Sequence, residues 1–415
     1  MNGFRKGITV LGPANITIPT SENLMDSRTL WLTANCNTPY TNMWIDLRNG
    51  PLVLEVPPRV LGMINDSWGR YVVDIGMVGP DKGNGGKYLV LPPAYAGEVP
   101  DGYIVVKAST FGCLYGFRQF AVNGDFKPAL DDLKKYARVY PLAMADNPPA
   151  NTFINYSGME VCTVAPSDYK FWEYLNEIVQ NEPTESSDRV SLGYFASVGI
   201  EKGKPFAPDA RMKKILTEAA EVGNATVRAI TYKMREKENY LYENSAWRNL
   251  FIGGYKFESQ PDVLNLDSYA SFYFGLMGLS PAEDVKLIGK GSQYAWAFKD
   301  SKGDALDGSK NYRLHLPPGI PDKDFWSVIA YDYQTRSFLQ TDQQFPMVSS
   351  QNKMMLANAD NSVDVYFGPK APAGKENNWI QTIPGKGWFP MLRLYGPFEP
   401  WFDKTWRPGE IELVY

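Results

Sequence analysis

Histidine is almost missing from this chain: 415 residues contain one, His315. A metal centre built on two or three imidazoles is therefore excluded within a single chain. Ser-His-Asp or Cys-His chemistry must either recruit His315 or do without histidine, and no Gly-x-Ser-x-Gly elbow supports the first. Cysteine is scarce too. Cys36, Cys113 and Cys162 are far apart, with no Cys-x-x-Cys pair, which argues against a disulfide framework or a zinc site and leaves room for one disulfide at most. No apolar run approaches the ~20 residues of a membrane-spanning helix. Positive charge is not in excess: the formal net charge is -4, and no basic run is dense enough to track nucleic-acid phosphates. The opening Met1-Asn2-Gly3-Phe4-Arg5-Lys6-Gly7 lacks the apolar centre of a signal peptide. The expectation is a cytoplasmic protein, or a periplasmic or secreted one whose leader has been removed.

Aromatic residues are plentiful, at 14% with 11 Trp and 25 Tyr; they suit strands, cores and ligand platforms alike. In the first third, short apolar runs alternate with turn residues. Residues 43–47 and 52–56 flank Arg48-Asn49-Gly50-Pro51 and read as strand, tight turn, strand. Residues 70–78, 87–91 and 103–107 continue the pattern. Strands this close leave no room for crossover helices, so the spacing predicts an antiparallel sheet or sandwich, ending near 141–150 after a short helix at 128–140. The middle changes period, with helices predicted over 168–180, 209–237 and 269–277. Short strands return from residue 294 onward and predict a second antiparallel sandwich. The expected class is mainly β with a helical middle (α+β): two sandwich or jelly-roll-like domains, 1–150 and 286–415, linked by a helical segment, 151–285.

Several clusters could carry chemistry. His315 shares a strand face with Arg313 and reads as a structural or surface histidine, or as a general base. Residues 81–87 are rich in Gly and Asn but lack Walker spacing and precede a strand, which favours a hairpin turn over a phosphate cradle. The carboxylates of 300–308 miss the alternate spacing of a calcium loop. Asn37, Thr38 and Tyr40, with Trp44 and Asp46 close behind, are either turn-capping groups or part of a polar ligand site. Asp332 and Arg336, four residues apart beside Tyr331, are either an ion pair pinning a loop or a ligand clamp. Trp379, Trp388, Tyr395, Trp401 and Trp406 are core, or a stacking wall for sugars or aromatic ligands.

Several of these stretches also carry a family resemblance. Asn37-Thr38-Pro39-Tyr40 through Trp44-Ile45-Asp46-Leu47, Gly50 through Pro58, and Gly79-Pro80-Asp81-Lys82-Gly83 with Gly85-Gly86-Lys87-Tyr88-Leu89 resemble domain-of-unknown-function family 1254. Phe325-Trp326-Ser327-Val328, Tyr331-Asp332, Thr335-Arg336-Ser337, Asn378-Trp379-Ile380-Gln381-Thr382, Gly385 through Phe389, and Lys404 through Pro408 resemble its partner, family 1214. The resemblance implies two β-sandwich-like domains around a helical segment, relatives that are often exported, and homo-oligomeric assembly. It implies no catalytic residues.

Two functions are expected from different classes. The first is a histidine-independent, hydrolase-type enzyme acting on a small polar or aromatic ligand. Asp46 and Asp332 would divide acid and base roles. Arg70, Arg118 and Arg336 would hold a ligand anion, with Tyr40, Trp44 and Tyr331 stacking on it. The second is a non-catalytic protein that binds saccharide or a partner through aromatic surfaces. No cofactor is expected, with an oxygen-ligated calcium or magnesium ion as the weaker alternative. Nucleic acid and a membrane span are not expected.

Overall fold

The computed structural model describes residues 1–234 and 236–414. The chain is a mixed α+β protein with two β units and helices between them. In the first unit a six-stranded sheet runs in the order Thr152–Asn155, Thr17–Thr20, Tyr40–Asp46, Gly112–Gln119, Val60–Asp66, Tyr71–Gly76. A four-stranded sheet packs on it in the order Arg138–Pro141, Leu52–Val56, Gly86–Leu91, Ile104–Lys107. The second unit pairs a five-stranded sheet (Trp247–Arg248, Ser292–Ala297, Trp388–Pro397, Asp322–Asp332, Met347–Ser349) with a four-stranded one (Trp379–Gln381, Val363–Gly368, Asn311–Leu316, Ile411–Val414).

Most neighbouring strands are antiparallel. Three pairs in these sheets run parallel: Thr17–Thr20 with Thr152–Asn155, Gly86–Leu91 with Ile104–Lys107, and Val363–Gly368 with Trp379–Gln381. The 86–107 crossover is a loop, with Pro92, Pro93 and Pro100 in it, because prolines deny a helix its amide donors. The turn at 48–51 departs from the hairpin expectation. Tyr40–Asp46 and Leu52–Val56 do not pair with each other but enter different sheets, and Gly50 at φ +116° makes the corner that carries the chain across. The first sheet also recruits Thr152–Asn155, so this unit reaches past residue 150, and Trp247–Arg248 joins the second unit from within the middle segment.

The middle helices follow their apolar period but start and stop at caps. Asp209 accepts from the Met212 amide at 2.7 Å and opens Ala210–Tyr232, which ends short of 237 (Arg235 lies outside the described residues). Asn265 likewise caps Leu266–Gly275. Lys170–Asn181 lies close to the expected 168–180, while Arg189–Ser197 is a further helix that the periodicity did not announce. Among the described residues no helix is long and apolar enough to cross a membrane.

Three cores result. One fills the first unit between its sheets, with Met43, Ile45, Leu54, Tyr88, Val90, Tyr115 and Phe117. A second fills the other unit, with Leu314, Trp326, Val328, Val365, Trp388 and Leu392. The third joins the units. Trp44 and Leu114 from the outer face of the six-stranded sheet meet Trp296, Tyr331, Phe389 and Met391 from the outer face of the five-stranded sheet, with Phe4, Trp31, Phe251 and Phe272 between. The two large sheets are therefore covered on both faces, and their central strands lose the in–out polarity of a half-solvated sheet.

Candidate functional site

Gly112–Gln119 and Trp388–Pro397 are long central strands buried at every residue. Alternation sends Cys113, Tyr115 and Phe117 into the first core, and therefore turns Leu114, Gly116 and Arg118 toward the joint. In the other strand Trp388, Leu392 and Leu394 enter the second core, so Phe389, Met391, Arg393 and Tyr395 face the joint. Each of these two strands thus drives one arginine into the layer where the units meet. Arg118 is 6% exposed and Arg393 5%. Guanidinium does not give up its proton in proteins, and burying a charge is costly unless it finds partners.

Those partners are incomplete. Arg118 lies across the ladder from Tyr40 and is 3.6 Å from the Glu283 carboxylate, and it donates to the Tyr294 hydroxyl at 3.4 Å. Its Nη1 has no acceptor. Arg393 lies across from Tyr294 and Ser327. It donates to the Thr33 carbonyl, to the Ala34 carbonyl at 3.4 Å and to the Tyr331 hydroxyl at 2.8 Å. Among the described residues no carboxylate pairs with it, and its Nε is unpartnered.

Both arginines line a cavity of about 90 Å³ at the joint. Its polar rim is Asn35, Tyr40, Asn42, Ser280, Glu283, Ser292 and Tyr294; Leu61, Met63, Leu114, Phe117, Leu276 and Met277 supply apolar wall. The aromatic rings position the cations: the Arg118 guanidinium carbon is 5.4 Å from the Tyr40 ring centroid and 5.2 Å from that of Tyr395, and Arg393 is 5.2 Å from that of Tyr294. Asn35 ties the two units by donating to Tyr395 at 2.8 Å and to Tyr40 at 3.3 Å. The segment from Leu276 to Glu283 crosses the cavity. Gly278 allows this crossing at φ +92°, where a Cβ would sit 2.5 Å from Met63 Cε.

Glu283 is the acidic group of the cavity. Burial pushes its carboxyl above the ordinary range, opposed by the Arg118 charge and the Tyr294 hydroxyl, which donates to it at 2.9 Å. Tyr294 also shares a 2.6 Å hydrogen bond with Ser292. Behind the wall, Ser280 donates to Asp74 at 2.7 Å, and Asp74 is pushed up to about 6, by burial first and by the Glu283 charge second. A buried, hydrogen-bonded carboxyl with a raised pKa is a candidate proton carrier.

Of the residues expected from sequence, Tyr40 and Arg118 line this cavity, and Tyr331 supports it by fixing Arg393 while donating to the Ala34 carbonyl at 2.6 Å. Asn37 and Thr38 are buried in the adjoining turn. Asn37 donates to Ser349 at 3.1 Å and Gln351 at 3.0 Å, tying the first unit to the second, and Thr38 accepts from Asn35 at 3.3 Å.

The others lie elsewhere. Asp46 is held by the Arg48 guanidinium fork in a smaller cleft of about 30 Å³ that Trp44 also lines. Asp332 accepts from the Gln334 and Thr335 amides at 2.5 and 3.1 Å and from Lys386 at 3.2 Å, and so pins its own turn. Among the described residues, Asp46 and Asp332 share neither of these two cavities, and each is paired with its own cation, Arg48 and Lys386. Arg336 does not pair with Asp332. It sits at φ +58°, donates to the Phe274 carbonyl at 3.0 Å and lies 4.0 Å from the Phe274 ring centroid. Arg70 pairs with Asp66 at 2.6 Å in the 66–70 turn.

The remaining motifs are structural. His315 meets Asp364 at 2.8 Å on the outer four-stranded sheet. Asp81 ties the 81–87 turn through the Gly76 and Gly85 amides. Asp300 closes its loop through the Lys302 and Asp304 amides, and among the described residues no three His, Cys, Asp or Glu side chains gather as metal ligands would. All three cysteines are free. Trp388, Trp401 and Trp406 are buried, and Trp379 and Trp406 each donate to a main-chain carbonyl.

Residues 15–141 match the family model described as Protein of unknown function (DUF1254), and residues 291–399 match Protein of unknown function (DUF1214). The chain belongs to the paired DUF1254 and DUF1214 families. The cavity lies where the two matched regions meet: Asn35, Tyr40 and Arg118 come from the first, Ser292, Tyr294 and Arg393 from the second, and Glu283 from between them. Among solved structures the chain is similar to the VPA0106 protein from Vibrio parahaemolyticus, with 20% identity, a TM-score of 0.54, and 92% of this chain and 90% of that one covered. That likeness supports the fold. A putative uncharacterized protein from Burkholderia cenocepacia matches at 12% identity and a TM-score of 0.43, over 92% of this chain and 78% of that one. No curated protein matches.

The sequence reading passed over Arg393, Glu283 and Tyr294. For Arg393 a signal existed: a lone charge in the apolar run Pro390-Met391-Leu392-Arg393-Leu394-Tyr395. For Glu283, in a turn that reads as solvated, there was none.

Proposed function

We propose that this protein binds a small, negatively charged ligand in the cavity between its two β units. The reading rests on one observation. Arg393 is buried in the middle of a central strand without a carboxylate partner, and Arg393 Nε and Arg118 Nη1 are both unpartnered. A buried guanidinium charge without a carboxylate is costly, and an anion in the cavity that both arginines line offsets it.

The hydrolase-type reading moves with the site. Glu283 replaces Asp46 and Asp332 as the acid/base candidate, since it alone joins a raised carboxyl to the cavity that would hold the ligand. The test is a thermal-shift panel of acidic, neutral and basic metabolites on the full chain. Acids are expected to raise the melting temperature, and Arg393→Met to abolish the rise. Equal stabilisation by neutral compounds, or a rise that survives in Arg393→Met, refutes the reading.

A further inference from the structure

We infer that the ligand is a small organic monocarboxylate with an apolar body, held by its carboxylate between Arg118 and Arg393. The inference rests on the anion-binding reading above and narrows it through charge, size and wall chemistry.

Charge comes first. Two guanidinium groups and one carboxylate, Glu283, border the cavity. Glu283, 3.6 Å from Arg118 and also under the influence of the Arg393 charge, offsets one of the two cations, which leaves the cavity with one positive charge in excess. A monoanion balances that charge. A dianion such as phosphate would bring a second negative charge into a space that already holds Glu283, where a low local dielectric strengthens repulsion. Two guanidinium groups that border one small cavity suit the planar acceptor pair of a carboxylate.

Size and wall chemistry follow. The cavity of about 90 Å³ corresponds to about three waters, at ~30 Å³ of liquid volume for each, and so favours a short ligand. Opposite the polar groups, Leu61, Met63, Leu114, Leu276 and Met277 offer hydrocarbon and thioether surface that favours an apolar chain over a sugar or a second polar end. Tyr40, Met63 and Met277 are only part-buried, which marks them as the approach from solvent.

The probe is butyrate, with six non-hydrogen atoms by its formula, against butyramide, inorganic phosphate and decanoate, by isothermal titration calorimetry on the full chain at pH 7. Butyrate is expected to bind, and butyramide, phosphate and decanoate at least tenfold more weakly. Arg393→Met should reduce butyrate affinity at least tenfold, and Arg393→Lys, which keeps the charge but not the fork, by a smaller factor. If Arg393→Met does not fold, Met277→Trp decides: lost butyrate affinity supports the site, and unchanged affinity places binding elsewhere and overturns it. Binding of phosphate without butyrate overturns the carboxylate assignment while sparing the anion reading. Equal binding of butyramide, or binding of none of these probes, overturns both.

Discussion

Asp74 shows what a single buried acid does to the molecule. Its carboxyl is 7% exposed and is raised from 3.8 to about 6, chiefly by burial. The folded chain therefore keeps this proton to a higher pH than the unfolded chain. Its effect on stability is most favourable below about pH 4, is lost as pH rises through about 6, and is level above that. At pH 8 the ionised group costs about 3 kcal/mol, from roughly two pKa units at 1.36 kcal/mol each. Asp74→Asn keeps an acceptor for Ser280 and removes the charge. The variant is expected to be more stable than the parent at pH 8 by up to this amount, with the gap closing toward pH 4; urea melts at pH 4.5, 6 and 8 measure it. A constant gap across that range would show that titration of Asp74 is not the cause.

At the level of elements, the segment from Leu276 to Glu283 matters more than its length suggests. It carries Ser280 and Glu283 to the cavity, and its path depends on Gly278 in the left-handed region against Met63. Gly278→Ala combines backbone strain of about 1 kcal/mol with a Cβ 2.5 Å from Met63 Cε, a flexible side-chain end that can move aside. The expected result is a fold destabilised by about 1–2 kcal/mol in denaturant melts, with ligand affinity lowered by more than that change in stability implies. A variant that binds as well as the parent would show that the crossing does not position Glu283.

Sequence legibility divides at the same level. Helices and strands announced themselves because their period is local, as in the Met212, Leu216 and Ala220 steps of the long helix. Helix ends were less readable, since Asp209 and Asn265 stop or start a helix only through a hydrogen bond to the main chain. Strand partners were least readable. Nothing in residues 43–56 says that the two strands part company at Gly50, because pairing is decided by the cores on either side and not by the turn. Tyr40 could be picked as a candidate because it stands in the dense polar run 35–46, and Arg118 as the one charged residue of 113–120. Glu283 joins them only through a contact between residues 165 positions apart in sequence, Arg118 and Glu283.

Across the whole molecule, the third core makes the two β units interdependent. Trp44, Leu114, Trp296, Tyr331, Phe389 and Met391 are buried against one another or against the segments between them. Expressing residues 1–285 alone would expose the outer face of the six-stranded sheet, and residues 286–415 alone the matching face of the five-stranded one. Each fragment is expected to aggregate or bind a hydrophobic dye, while co-expression restores solubility; two fragments that are each soluble and cooperative in melting would show that the joint adds little. This is also why a boundary at 150 or 286 is a point on the chain and not a seam in the structure: Thr152–Asn155 and Trp247–Arg248 have already crossed it.

A cavity whose walls come from both units turns its occupant into a fastener. Any ligand that grips Arg118 on one side and Arg393 on the other stabilises the folded chain in proportion to the logarithm of its concentration above the dissociation constant. The population of chains open at the joint, and so exposed to proteolysis, then falls as the ligand accumulates. Cellular abundance of the protein would then track supply of any such ligand, with no separate sensor required.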